Sequence, residues 1–375
     1  MSFKAISSSR NYSRLIYILE IAATCYAVAV PLLFVVSGWS LRLALYARSL
    51  FLNIYTAIPL YFLGAYCFYW ALELPLVFYR SFLLEHRFSL SSQKPLSWFL
   101  DHLKSSSIFY LIALVCLEVF YAFYNLFPSL WWLVFSLFWV FFGVVLTKVT
   151  PILILPLFFA HTRYRDEKLT DRINRLASGM GIGPPKVFEI NFSKITHKAN
   201  AAFLGIGKTR RVLLADTLRE RYSQDEILVI LAHEFAHYKL RHMLKMMLLG
   251  ATLILAFLYL AFMGNSYVLA FFGFTSLGDI AAMPIIFACL AFFSFLTQPL
   301  TNIVSRSMER SADYLALKAT GLVNAFISML DKLSTQNLSH RKPHPLIKFL
   351  FFDHPPIDER IRMAEAFLKA SRPLD

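Results

Sequence analysis

The chain has 375 residues, 58% of them hydrophobic and only 16% charged. A soluble globular domain carries about a quarter charged residues, so composition excludes an ordinary soluble fold. The formal charge of +14 would suit a nucleic-acid partner, but its placement along the chain argues against one.

Taken in order, six apolar runs are long enough to read as membrane helices: 16–37, 54–78, 107–127, 129–147, 243–263 and 281–304. The first follows a basic segment (Lys4, Arg10, Arg14), yet it is longer than a signal-peptide core and more spans follow, so a retained span is expected. Cys25, Cys67, Cys116 and Cys289 all fall inside runs and show no C-x-x-C spacing, which indicates core filling rather than a disulfide framework. Lys and Arg gather in the N-terminal tail, in 79–106, in 161–242 and in 305–375. The 38–53 connection has only Arg42 and Arg48, and 264–280 has none. Six spans place the basic segments on one side, which the positive-inside rule makes cytoplasmic. The charge therefore reports orientation and implies a lipid bilayer, not nucleic acid, as the partner. The host would be the inner membrane of a bacterium or the endoplasmic reticulum of a eukaryote.

The runs divide the chain into a membrane region at 1–160 with four spans, and a second region at 161–375. The second region holds a polar insert at 161–242, a two-helix membrane hairpin at 243–304 and a polar tail. Within the insert a helical pattern near 166–180 ends at Gly179, Gly181 and Gly183-Pro184-Pro185. Three strand-like runs follow, Lys186–Asn191, Asn200–Ile206 and Arg211–Asp216, with a turn expected near Gly207-Lys208. Ser223 and Glu226 have capping-box spacing ahead of an apolar run, which predicts a helix from about 224.

That helix carries His233-Glu-Phe-Ala-His237, an H-E-x-x-H motif. Residues four apart share a helix face, so both imidazoles can reach one zinc ion, with Glu234 beside them to take a proton from bound water. A satisfied polar helix face is the plainer alternative. A catalytic zinc also needs a third protein ligand. The best candidate is Glu309, with Asp313 four residues on to orient a ligating histidine. His237 lies six residues before the span starting at 243, and Glu309 five after the span ending at 304. A membrane hairpin returns both half-sites to one side and one depth.

With these residues in view, the sequence resembles the integral-membrane zinc endopeptidases that include the type I CAAX prenyl proteases. Ser193-Lys194, Asn200-Ala-Ala-Phe203, Leu214-Ala-Asp216-Thr-Leu218, Asp225-Glu226 and Ala232-His-Glu-Phe-Ala-His237 follow that family's order. So do Ser305-Arg306, Glu309, Ala312-Asp313, His354-Pro-Pro356 and Glu359-Arg-Ile361. Upstream, Leu74-Pro75, Tyr79, Phe82, Glu85 and Phe88 look like its membrane-exit segment. The resemblance implies a mainly α, polytopic helical bundle with a zincin-type metalloprotease domain containing a small β-sheet. It implies one zinc per chain on His233, His237 and Glu309, with Glu234 as general base and Asp313 behind a ligand. His354 and Arg360 would stabilise the oxyanion, and Asn200, Ala201, Ala202 and Phe203 would pair with a peptide or protein substrate. Ala232 stands where the family often has glycine, Ser89 where a glycine is expected after Phe88, and Phe159-Ala-His-Thr-Arg163 where an asparagine is usual. Six spans are one fewer than the best-known relatives have.

Two other classes compete. A transporter would use the intramembrane charges, but Glu20, Glu73 and Glu118 form no repeat. An inactive scaffold would have lost chemical side chains, and none is missing. No G-x-S-x-G is present and no cysteine lies outside a span. His86, His102, His161, His197, His242, His340 and His344 show no paired spacing and read as loop or surface residues.

Overall fold

The computed structural model describes residues 3–204 and 210–370. The membrane region runs α1 (Phe3–Val36), α2 (Trp39–Leu50) and α3 (Ile54–Phe78), then a π-helical turn at Tyr79–Leu83 and one-turn α4 (Leu84–Arg87). It continues with α5 (Pro95–Leu126) and α6 (Trp131–Val149). The insert contains β1 (His161–Arg163), α7 (Glu167–Gly179), β2 (Lys186–Ile190), β3 (Ala201–Leu204), β4 (Arg211–Ala215), α8 (Asp216–Arg219) and α9 (Gln224–Lys239). The rest is helical: α10 (His242–Phe271), α11 (Met283–Thr320), α12 (Val323–Gln336), α13 (Pro345–Phe351) and α14 (Ile357–Ala370).

Six helical segments among the described residues are long and apolar enough to cross a bilayer, and they cover the six expected runs to within two residues at the ends. The 38–53 connection is not a loop. Its twelve-residue α2 rises only about 18 Å, too short for a core of about 30 Å. It packs instead on the end of the bundle through buried Ser40, Ala44 and Ala47. Ser40 Oγ donates to the Ala281 carbonyl at 2.6 Å and meets Tyr61 Oη at 2.6 Å. Leu41, Leu45 and Tyr46 stay on the outer face.

Beyond the membrane the four strands form a sheet in the order β1-β2-β4-β3. The β2–β4 pair is parallel and the other two are antiparallel, which leaves β3 at an edge. The three expected strand runs correspond to β2, β3 and β4. Residues 205–206 and the Gly207-Lys208 turn lie outside the described residues. Strand β1 has no signature in the sequence, because three residues are too few to show a period of two. At the membrane exit, Ser89 adopts a left-handed φ of 57° where the family resemblance expects glycine. It closes the end of α4, with Leu90 N donating to the Glu85 carbonyl at 2.8 Å and Ser89 N to that of His86 at 3.0 Å.

The expected capping box is present and anchors α9. Ser223 Oγ accepts from Glu226 N at 3.2 Å, and a Glu226 carboxylate oxygen accepts from Ser223 N at 2.7 Å. Glu226 is buried, and from α12 Ser328 Oγ and Lys332 Nζ each donate to it at 2.6 Å. Burial alone would raise this carboxyl's pKa, but Lys332, Ser328 and the Ser223 amide together hold it below its ordinary 4.5. A depressed carboxyl contributes stability above its unfolded pKa, and that stability is lost as pH falls through the folded value. Glu226→Gln should therefore cost about 2 kcal/mol at neutral pH, the scale of a charge-assisted hydrogen bond. It should also flatten the loss of stability below pH 4.5. Thermal melting of both proteins across pH 3–7 checks this; equal melting at pH 7 would show that the capping carboxylate adds nothing.

Candidate metal centre

The α9 helix places His233 and His237 one turn apart on the face turned toward α11. His233 is buried, His237 half-buried, and Glu234 half-buried between them. From α11, Glu309 reaches both rings: Oε2 lies 3.2 Å from His233 Nε2, and Oε1 lies 3.2 Å from His237 Nε2. The two Nε2 atoms are themselves 3.0 Å apart. Glu309 Oε2 is buried without a well-aligned hydrogen bond, although the His233 nitrogen is so near. Lone pairs converging in this way suit a shared cation. Two ligands about 2.0–2.1 Å from a zinc ion at the tetrahedral angle stand roughly 3.3 Å apart, close to the three separations seen. The residues therefore fit zinc, and His233, His237 and Glu309 are the set that would hold it.

The surroundings favour positive charge. His233 Nδ1 lies 2.8 Å from Asp313 Oδ1, and Asp313 is fully buried. Arg360 on α14 donates to both Asp313 oxygens, from Nε at 2.7 Å and Nη2 at 2.6 Å. Burial opposes a charge on His233, but Asp313 and Glu309 override it and raise its pKa to about 10. Burial is likewise the main cause that raises the pKa of Glu234, the direction that makes a carboxylate more basic.

Other expected residues also gather here. His354 Nε2 lies 3.4 Å from Glu309 Oε1, and its Nδ1 contacts Asp353 at 2.9 Å. Two α11 side chains hold the segment that delivers His354. Asn302 donates to the Leu350 carbonyl at 2.7 Å, and Arg306 donates to the carbonyls of Lys348 and Phe352. Ala201, Ala202 and Phe203 lie in edge strand β3, with Asn200 just before it. The Phe203 ring sits edge-on to Phe235 and Tyr238 of α9 at 5.0 and 5.2 Å, tying that strand to the metal-site helix.

Sequence reading missed two groups. His242 is buried and not a surface residue; its Nδ1 lies 3.0 Å from His237 Nδ1. Five residues is not a helical repeat, so spacing gave no signal. The second group fixes the approach to β3: Lys198 Nζ pairs with Glu85 at 2.9 Å, and Tyr12 Oη donates to the same carboxylate at 2.5 Å. These three come from α1, α4 and the insert, and only the tertiary fold assembles them.

Comparison with known proteins gives the same reading. Residues 163–367 match the pattern of Peptidase family M48, and residues 1–160 that of a CAAX prenyl protease N-terminal region described as having five membrane helices. Among the described residues of this region the chain has four membrane-length helices and the short α2. CAAX prenyl protease 1 of Saccharomyces cerevisiae is 30% identical over 94% of this chain and 84% of its own length. An uncharacterized metalloprotease of Bacillus subtilis, YhfN, is 30% identical over 74% of the chain and 66% of its own length. The crystal structure of S. mikatae Ste24p superposes with a TM-score of 0.83 at 26% identity, covering 96% of this chain and 89% of that one.

A multi-pass helical membrane protein with two histidines of an H-E-x-x-H helix and a glutamate of a second helix in one metal cluster is a metalloprotease by class. The chain belongs to peptidase family M48. Metal analysis of purified variants checks the ligand set. His233→Ala and Glu309→Ala should each fall far below one zinc per chain, while Glu234→Gln should keep it. Full zinc in both ligand variants would overturn the assignment.

Proposed function

We propose that the protein is a zinc-dependent endopeptidase that cuts extended, membrane-associated peptides, CAAX-type tails among them, on the cytoplasmic side of the membrane. The observation that carries this reading is the meeting of His233 and His237, on the helix that leads into membrane-length α10, with Glu309 on α11 beyond its apolar run. Zinc bound there supplies Lewis acidity, which polarises a carbonyl and makes water a nucleophile near neutral pH. Glu234, its basicity raised by burial, takes the proton of the attacking water and returns it to the leaving amine. His354 reaches the same space from α13's C-terminal side and donates to the developing oxyanion. Arg360 adds its charge from behind Asp313, which it holds bidentately, and so keeps the His233 ring in place. Substrate backbone adds a strand along Asn200, Ala201, Ala202 and Phe203, at an edge of the sheet.

An apolar cavity of about 300 Å³ between α1, α3 and α11, lined by Val30, Phe34, Phe62, Phe287 and Leu290 among others, supports a lipid-bearing substrate. In this reading 1–160 is the membrane region that shapes substrate access, and 161–375, with the hairpin at 243–304, is the peptidase unit. Burial of two methylenes, at about 0.8 kcal/mol each, already exceeds the 1.4 kcal/mol that makes a factor of ten. A farnesylated peptide should therefore exceed its unmodified match in kcat/KM by about tenfold or more, with both cut at the same bond and neither cut by Glu234→Gln. Product mass spectrometry on matched peptides checks this. Equal kcat/KM would instead favour a general quality-control protease of membrane proteins.

Orientation has its own test. In a cysteine-free background, cysteines placed at positions 5, 170 and 370 should label from the cytoplasmic side and one at 270 from the opposite side. Labelling of position 5 together with 270 would require another crossing between α1 and α3.

A further inference from the structure

We infer that His242 is a positioning residue for His237, fixing its tautomer and ring angle through a relay that links α9, α10 and α11. The inference rests on the zinc reading of the site but not on the identity of any substrate.

The relay has one consistent placement of hydrogens. Ser311 Oγ donates to the Met308 carbonyl at 2.7 Å, which leaves its oxygen to accept from His242 Nε2 at 3.2 Å. With its hydrogen on Nε2, His242 offers the Nδ1 lone pair to His237 Nδ1, 3.0 Å away. That contact is a hydrogen bond when His237 carries its own hydrogen on Nδ1. His237 Nε2 is then left with a lone pair, and this is the nitrogen that faces His233 Nε2 and Glu309. A metal ligand needs that tautomer.

Backbone geometry makes the contact. Along an unbroken helix, residues five apart are turned about 140° from each other, so His242 would face away from His237. The helix breaks instead: α9 ends at Lys239, Arg241 takes a left-handed φ of 55°, and α10 begins at His242. The reversal turns His242 back onto the preceding helix, where it is only 3% exposed and shielded from water that could replace it. The two imidazole ligands are thus supported differently. His233 leans on a carboxylate pinned by Arg360, and His237 leans on a neutral imidazole pinned by a serine.

The test is zinc affinity of the full-length protein in detergent, measured by chelator competition, beside the melting temperature of each zinc-free variant. His242→Leu should weaken zinc binding about 10- to 100-fold, the usual cost of losing a ligand's outer partner. His242→Asn, whose Oδ1 stands near the lost Nδ1, should recover most of that affinity. Ser311→Ala frees His242 to move its hydrogen and should give a smaller loss. Wild-type affinity in His242→Leu would overturn the inference, as would an asparagine variant as weak as leucine when both melt like the parent. If the leucine variant does not fold, unchanged affinity in Ser311→Ala overturns it. A parent protein that binds zinc but cuts no peptide would defeat the proposed function and leave the relay standing.

Discussion

Everything at the metal site depends on how closely α9 and α11 approach each other. Between the helices the ligand atoms are separated by 3.2 Å at each histidine, so a shift of half an ångström would spoil the set. Small side chains permit the approach. On α9, Ala232 and Ala236 each precede a ligating histidine, and on α11, Ala312 and Ala316 sit beside and beyond Asp313. All four are fully buried in one core cluster. Ala232 is fully buried here, so the gap accommodates its methyl group. A branched or longer chain would have to displace a helix, because cores resist added volume.

That packing carries an electrostatic burden which the rest of the peptidase region relieves. Burying the Asp313 carboxylate alone would be costly, since isolated charges in a protein interior are strongly disfavoured. Arg360 meets it with two short hydrogen bonds, and His233 approaches one of the same two oxygens, Oδ1. Arg360 belongs to α14, so the last helix among the described residues is joined to the histidine helix through α11. Asn302 and Arg306 do comparable work for α13 by donating to the carbonyls of Leu350 and Phe352 at its C-terminal end, where a helix leaves its last carbonyls without helical partners.

Much of this was legible in the sequence where one local rule acts alone. The six apolar runs needed only the bilayer's thickness, the start of α9 needed only Ser223 and Glu226, and the H-E-x-x-H spacing needed only the helix repeat. Glu309 was reachable because a hairpin geometry constrains depth. What stayed hidden depends on breaks and on distant contacts. His242 reaches His237 through a left-handed residue, Arg241, whose side chain gives no hint of that backbone conformation. The α2 helix was missed because its exposed side mixes Leu41, Leu45 and Tyr46 with Arg42, Arg48 and Ser49, leaving no clean polar stripe to mark it. Lys198, Glu85 and Tyr12 are scattered over 187 positions, from 12 to 198, and meet only after the bundle has formed.

The hairpin between the two half-sites also sets an order of events during synthesis. Glu309 lies 72 residues beyond His237, counted from 237 to 309, and an entire pair of membrane helices separates them. A ribosome therefore releases the histidine helix well before the glutamate exists, and domains take shape from the N-terminal side as the chain emerges. Until α10 and α11 have been inserted, the nascent chain can offer a metal only two imidazoles, and Asp313 and Arg360 are not there to hold one of them. Completion of the ligand set is thereby tied to completed membrane insertion, and a chain stalled at the translocation machinery carries no finished metal centre.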